Sequence, residues 1–173
     1  ALFAAAFAVI LLSARSQAAH VATGCLSVTY PGTLGNPSFL DAHTTILSGS
    51  LSSGIYDVFC ARQPYHIALG ENYSVVIFEV NDPLVTTLSI VQHPENLDLV
   101  EYILNQNIIG VSSPSGGTYN SDDVQGAIWD LLDAPGQYAL SGNIPNRSPA
   151  RIAEIVADAL ANGNGFVAGC GEV

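Results

Sequence analysis

The hydrophobic period of this chain changes at Pro94, and that change limits the folds open to it more than any other feature. From Gly24 to about Gln92, short β-branched and aromatic runs alternate with Gly, Pro, Asn and Ser, the punctuation of strands and turns. Strands are expected over 25–30, 44–48, 54–61, 72–80 and 84–92. The run Tyr73 to Val80 and the turn residues Asn81-Asp82-Pro83 predict that the last two form a hairpin. Beyond Pro94 the apolar spacing becomes three and four. Leu97, Val100 and Leu104 behind an Asn96 cap predict a helix over 97–106. Val124, Ala127, Ile128, Leu131 and Leu132 behind Ser121-Asp122-Asp123 predict a second over 122–133. Ser148 as cap and Pro149 in the first turn open a third, which buries Ile152, Ile155, Val156, Ala159 and Leu160 and stops at Asn162-Gly163. Strands first and helices later make an α+β domain: an antiparallel β-sandwich or barrel followed by a small helical cluster. In a chain of 173 residues, 49% of them hydrophobic, one such domain over 20–173 accounts for the whole core.

Ahead of that domain, residues 1–19 carry an apolar run from Ala1 to Leu12 and then small polar residues, the latter half of a secretory signal. The run is shorter than the roughly 20 apolar residues of a membrane span. It reads as a signal or, if retained, as an assembly segment through which copies of the chain contact one another in a homopolymer; any membrane attachment would also run through it. Asn72-Tyr73-Ser74 and Asn146-Arg147-Ser148 are N-glycosylation sequons, in keeping with an extracellular or cell-surface location. The chain has 4 Arg and no Lys against 15 acidic residues, a net charge of −11, which sets an unfavourable field for phosphates and excludes nucleic acid as a partner.

Three cysteines are an odd number for an exported chain. Cys25 opens the folded region and Cys170 closes it, so a bridge between them would close a very long loop, worth nominally about 4–5 kcal/mol. Cys60 is then left over, on the strand Tyr56-Asp57-Val58-Phe59-Cys60, where a buried, inert thiol is one reading. On the second predicted helix Gln125 falls at the border of the Val124-Ile128-Leu132 stripe, with Trp129 one turn beyond. A primary amide in that position can simply be hydrogen-bonded.

Taken together, Phe59-Cys60 on a strand and Val124-Gln125-Gly126-Ala127-Ile128-Trp129 on a later helix resemble the thioester domains of exported surface adhesins, as does the closing Asn162-Gly163-Asn164-Gly165-Phe166-Val167. The resemblance covers roughly 55–170. It implies that Cys60 is the thiol and Gln125 the acyl donor of an internal thioester, formed with loss of ammonia and able to acylate a surface amine or hydroxyl. Val124 stands where that family most often has Thr, and Ala61 where a larger residue is common. A thioester survives only where water is excluded, and Phe59, Trp129 and Tyr56 are the candidate shield. No Lys on this chain can consume the bond by internal aminolysis. Gly169-Cys170-Gly171-Glu172 resembles the thioester motif of complement-type proteins, but Val173 takes the place of its Gln.

Other chemistry is sparse. His20, His43, His66 and His93 have no metal-ligand spacing, and Asp122, Asp123, Asp130 and Asp133 are expected to cap and solvate their helix. With no nucleophile elbow, phosphate loop or dinucleotide fingerprint, the chain reads as a non-enzymatic surface protein without a cofactor.

Overall fold

The computed structural model describes residues 22–29, 40–49, 52–61, 70–77, 85, 91–133 and 144–167. The 1–19 segment, Cys170, His20 and His66 lie outside them.

Among the described residues four strands form one antiparallel sheet in the order β3-β2-β1-β4: β1 (Ala22–Thr29), β2 (Leu40–Gly49), β3 (Gly54–Val58) and β4 (Asn72–Ile77). Leu26, Ala42, Thr44 and Ile77 are buried, while Cys25, His43, Thr45 and Ser74 are exposed, the alternation of a sheet with one covered face. The register of β1 on β2 shifts between Thr23 and Gly24. A β-carbon at Gly24 would run into the Thr45 carbonyl oxygen, so the shift needs glycine there.

The α+β class is as expected, but among the described residues the sheet is open, with β3 and β4 at its edges, and is not closed into a barrel. The hairpin expectation is corrected as well. Its turn and residues 78–84 and 86–90 lie outside the described residues; where it is described, β4 pairs with β1, Val85 is helical, and Val91 and Gln92 lie in bends. Val85 and Val91 are instead buried in the helical core, so their apolar character reflects packing there and not a strand.

Among the described residues three helices follow a 3₁₀ turn at Pro94–Asn96: α1 (Leu97–Asn105), α2 (Ser121–Leu132) and α3 (Pro149–Asn162). Their shared core joins Leu97, Val100 and Ile103 of α1, Val124, Ala127, Ile128 and Leu131 of α2, and Ile152, Ile155 and Ala159 of α3. Leu160, expected inside, is 60% exposed, because α3 buries only the row 152, 155, 159 and residue 160 sits about 100° away from it. Gly126 lets α2 and α3 approach closely: a β-carbon there would come within 2.5 Å of Ile152 Cδ1.

The caps depart from expectation in instructive ways. Asn120, one residue before the expected Ser121, caps α2 through a reciprocal box: its side chain accepts from Asp123 N at 3.0 Å and its own N–H donates to Asp123 Oδ2 at 3.1 Å. Asn96 does not cap α1; its Nδ2 donates to the Leu131 carbonyl at 2.8 Å, satisfying an end of α2. Ser148 caps α3 as expected, accepting from Arg151 N. The closing segment folds back on α1, where Gly165 N donates to Asp98 Oδ2 at 2.6 Å and Phe166 meets Tyr102 edge to face.

Candidate functional site

Where β3 ends, the chain leaves the sheet and Phe59 and Ala61 pack against the helical core. Cys60 lies between them, and this junction brings it to Gln125, 65 positions further along the chain. The Gln125 side chain is fully buried because α2 is enclosed from Asp122 through Trp129, so the border position drawn from a single stripe is in fact interior. Its amide is held at both ends by one residue. The Cys60 backbone N–H donates to Gln125 Oε1 at 2.7 Å, and Gln125 Nε2 donates to the Cys60 carbonyl oxygen at 2.7 Å.

Two short hydrogen bonds leave the amide little rotational freedom and set its carbonyl group beside the residue that carries the thiol. The Cys60 thiol is half-buried and free, and burial pushes its pKa up to about 11. Only about one thiol in a thousand is then ionised at pH 8, and the thiolate is the nucleophile. Alkylation of any free Cys60 is therefore expected to rise about tenfold per pH unit from neutrality towards pH 11. Iodoacetamide labelling read by peptide mass checks this, and a rate at Cys60 that does not change with pH would contradict it.

The α2 end that carries Gln125 is anchored by a buried charge network. Asp123 is fully buried, and its carboxylate accepts from Arg151 Nε at 2.6 Å, Ser148 N at 2.7 Å and Asn120 N at 3.1 Å. Asp122 is buried too and accepts from Asn146 N at 2.9 Å. Capping was a correct expectation for Asp123, but solvation was not: Asp122, Asp123 and Asp133 are inside the protein. Arg151, which no sequence motif singles out, supplies the compensating charge. Its place in the first turn of a helix capped by Ser148 was a signal of limited value, since nothing local ties it to position 123.

Of the expected shield, Trp129 is buried one turn after Gln125 and Phe59 is half-buried against the helical core. Tyr56 is engaged elsewhere, its hydroxyl donating to the Ser52 carbonyl at 2.6 Å in the β2–β3 connection. Cys25 is a free, exposed thiol on the central strand β1, and the bridge expected for it involves Cys170, outside the described residues. Asn72 and Asn146 are both exposed. His43 is exposed on β2 and His93 lies 3.0 Å from Glu95. Among the described residues no group of His, Cys, Asp and Glu is placed to hold a metal, and no helix is long and apolar enough to cross a membrane.

Compared with protein-family models, with curated proteins and with solved structures, the chain matches none.

Proposed function

We propose that this is a non-enzymatic, exported surface protein that attaches to its target through an internal thioester between Cys60 and Gln125. The observation that supports the reading is the paired hydrogen bonding of the buried Gln125 amide to the backbone of Cys60. In the proposed step Cys60 Sγ bonds to Gln125 Cδ, the Cδ–Nε2 bond breaks, and the thiol proton leaves with the amine as ammonia. The Cys60 N–H already donates to Oε1, the atom on which negative charge develops, so it serves as an oxyanion donor. The Cys60 carbonyl holds the departing nitrogen until it leaves.

Burial disfavours the thiolate both when the bond forms and when it breaks, so formation is slow and the finished bond waits for an incoming nucleophile. Attack by an amine or hydroxyl on a target surface then breaks Sγ–Cδ, leaves an amide or ester at Gln125 and returns Cys60 as a protonated thiol. Incubation with methylamine followed by peptide mapping tests the reading. The expected product is a methylamide on Gln125 with a newly alkylatable Cys60, and both are absent in Cys60→Ala. An unmodified Gln125 in wild-type protein would remove the proposal.

A further inference from the structure

The two hydrogen bonds between Gln125 and Cys60 select for one kind of acyl group. Both go to the backbone of a single residue, so the hydrogen that Gln125 Nε2 gives to the Cys60 carbonyl lies on the same side of the amide as Oε1. Only a primary amide has a hydrogen there in its stable form. A secondary amide turns its N–H away from the oxygen and sets its substituent beside it, and the reverse arrangement is disfavoured roughly seventyfold. An ester has no donor at all. A carboxylate has only acceptors, so one of its oxygens would face the Cys60 carbonyl, itself an acceptor. That clash would fall at a fully buried position, where Arg151, the cation that α3 brings to α2, is already committed to Asp123.

From this geometry we infer that the Gln125–Cys60 contact is a one-way latch on the junction between the sheet and the helices, closed until the acyl group is used and open afterwards. The inference rests on the thioester reading for its trigger. In the thioester the Sγ–Cδ bond replaces the second hydrogen bond and keeps the junction tied. An incoming amine bonds to Cδ, Sγ–Cδ breaks and a proton of the amine passes to Sγ. The secondary amide left at position 125 then carries its substituent where the Cys60 carbonyl was bound. Water reacts in the same way and leaves a carboxylic acid, which closes the latch only by keeping its proton. Against an ordinary glutamate pKa of about 4.3, that is disfavoured about a thousandfold at pH 7.5 and only about fivefold at pH 5.

Full-length Cys60→Ala protein keeps the backbone that binds Gln125 but cannot form the thioester. Comparing it with Cys60→Ala/Gln125→Glu therefore tests the latch alone, while the mass of the wild type tests the thioester. The readout is amide hydrogen exchange of the segment 59–61. The double variant is expected to exchange there about a hundredfold faster or more than the single one at pH 7.5, and within about tenfold of it at pH 5, where the protonated acid restores both bonds. The other ionisable groups on α2 and the elements packed against it include Asp122, Asp123, Arg151, Glu154, Glu101 and His93. They are common to both proteins, so their titration cancels in the ratio. Equal exchange of the two proteins at pH 7.5, or the same large ratio at both pH values, including a double variant unfolded at both, would overturn the inference.

Discussion

Asp123→Ala is expected to cost about 3–5 kcal/mol of stability, enough to unfold much of a typical domain of this size at physiological temperature. The carboxylate is fully buried and gathers the Arg151 guanidinium, the Ser148 N–H and the Asn120 N–H, while its own N–H completes the capping box. Removing it leaves a guanidinium that is only 16% exposed facing the vacated space, and breaking a buried pair on one side costs more than the pair itself contributed. Asp123→Asn should fall between, since an amide oxygen still accepts from backbone donors but carries no charge for Arg151. Urea unfolding of both variants checks this. A loss below about 1 kcal/mol for the alanine would mean that the pair is worth no more than an exposed one.

Gln125→Ala should combine a structural loss with a chemical one. Both hydrogen bonds to Cys60 disappear, the Cys60 N–H and carbonyl lose their partner at the sheet-to-helix junction, and the space of the side chain is left empty, together about 2–4 kcal/mol. Cys60→Ala is the contrasting variant, because the backbone groups that bind Gln125 survive the substitution. It is expected to lose the acylating chemistry while unfolding within about 1.5 kcal/mol of the free-thiol protein. If the two variants were equally destabilised, the hydrogen bonds would be contributing little and the interest would shift to the sulfur.

The helices were legible because their signals are local. Spacing of three and four, a capping Ser148 and the Asn162-Gly163 stop placed α3 over Pro149–Asn162 as expected, and α2 began one residue earlier than expected. The strands of the sheet were legible as strands but not in their pairing. β4 lies against β1, a partner some 50 residues earlier, and no turn chemistry near Asn81-Asp82-Pro83 bears on that choice. Val85 and Val91 show the same limit from the other side: a β-branched residue in a short apolar run suits a strand or a helical core equally well, and tertiary packing decides.

At the site, Cys60 and Gln125 were picked out by family resemblance, and their two hydrogen bonds are a property of the fold that spacing could not supply. Gln125 looked like a border residue because one stripe describes a helix with one neighbour. α2 has the core on one side and Phe59-Cys60-Ala61 on another. Asp123 and Arg151 illustrate the gap most directly. A helix-capping acid is visible from its position, but its burial and its partner on another helix are not.

Intact mass of the purified, unreduced protein tests the central proposal most directly. A Cys60–Gln125 thioester lowers the mass by one ammonia, about 17 Da, and leaves no thiol at Cys60. The deficit should be absent in Gln125→Ala and in Cys60→Ala, and methylamine should convert it into a gain in the wild type. A wild-type mass equal to that of the unmodified chain, with Cys60 recovered as a free thiol, would contradict the account.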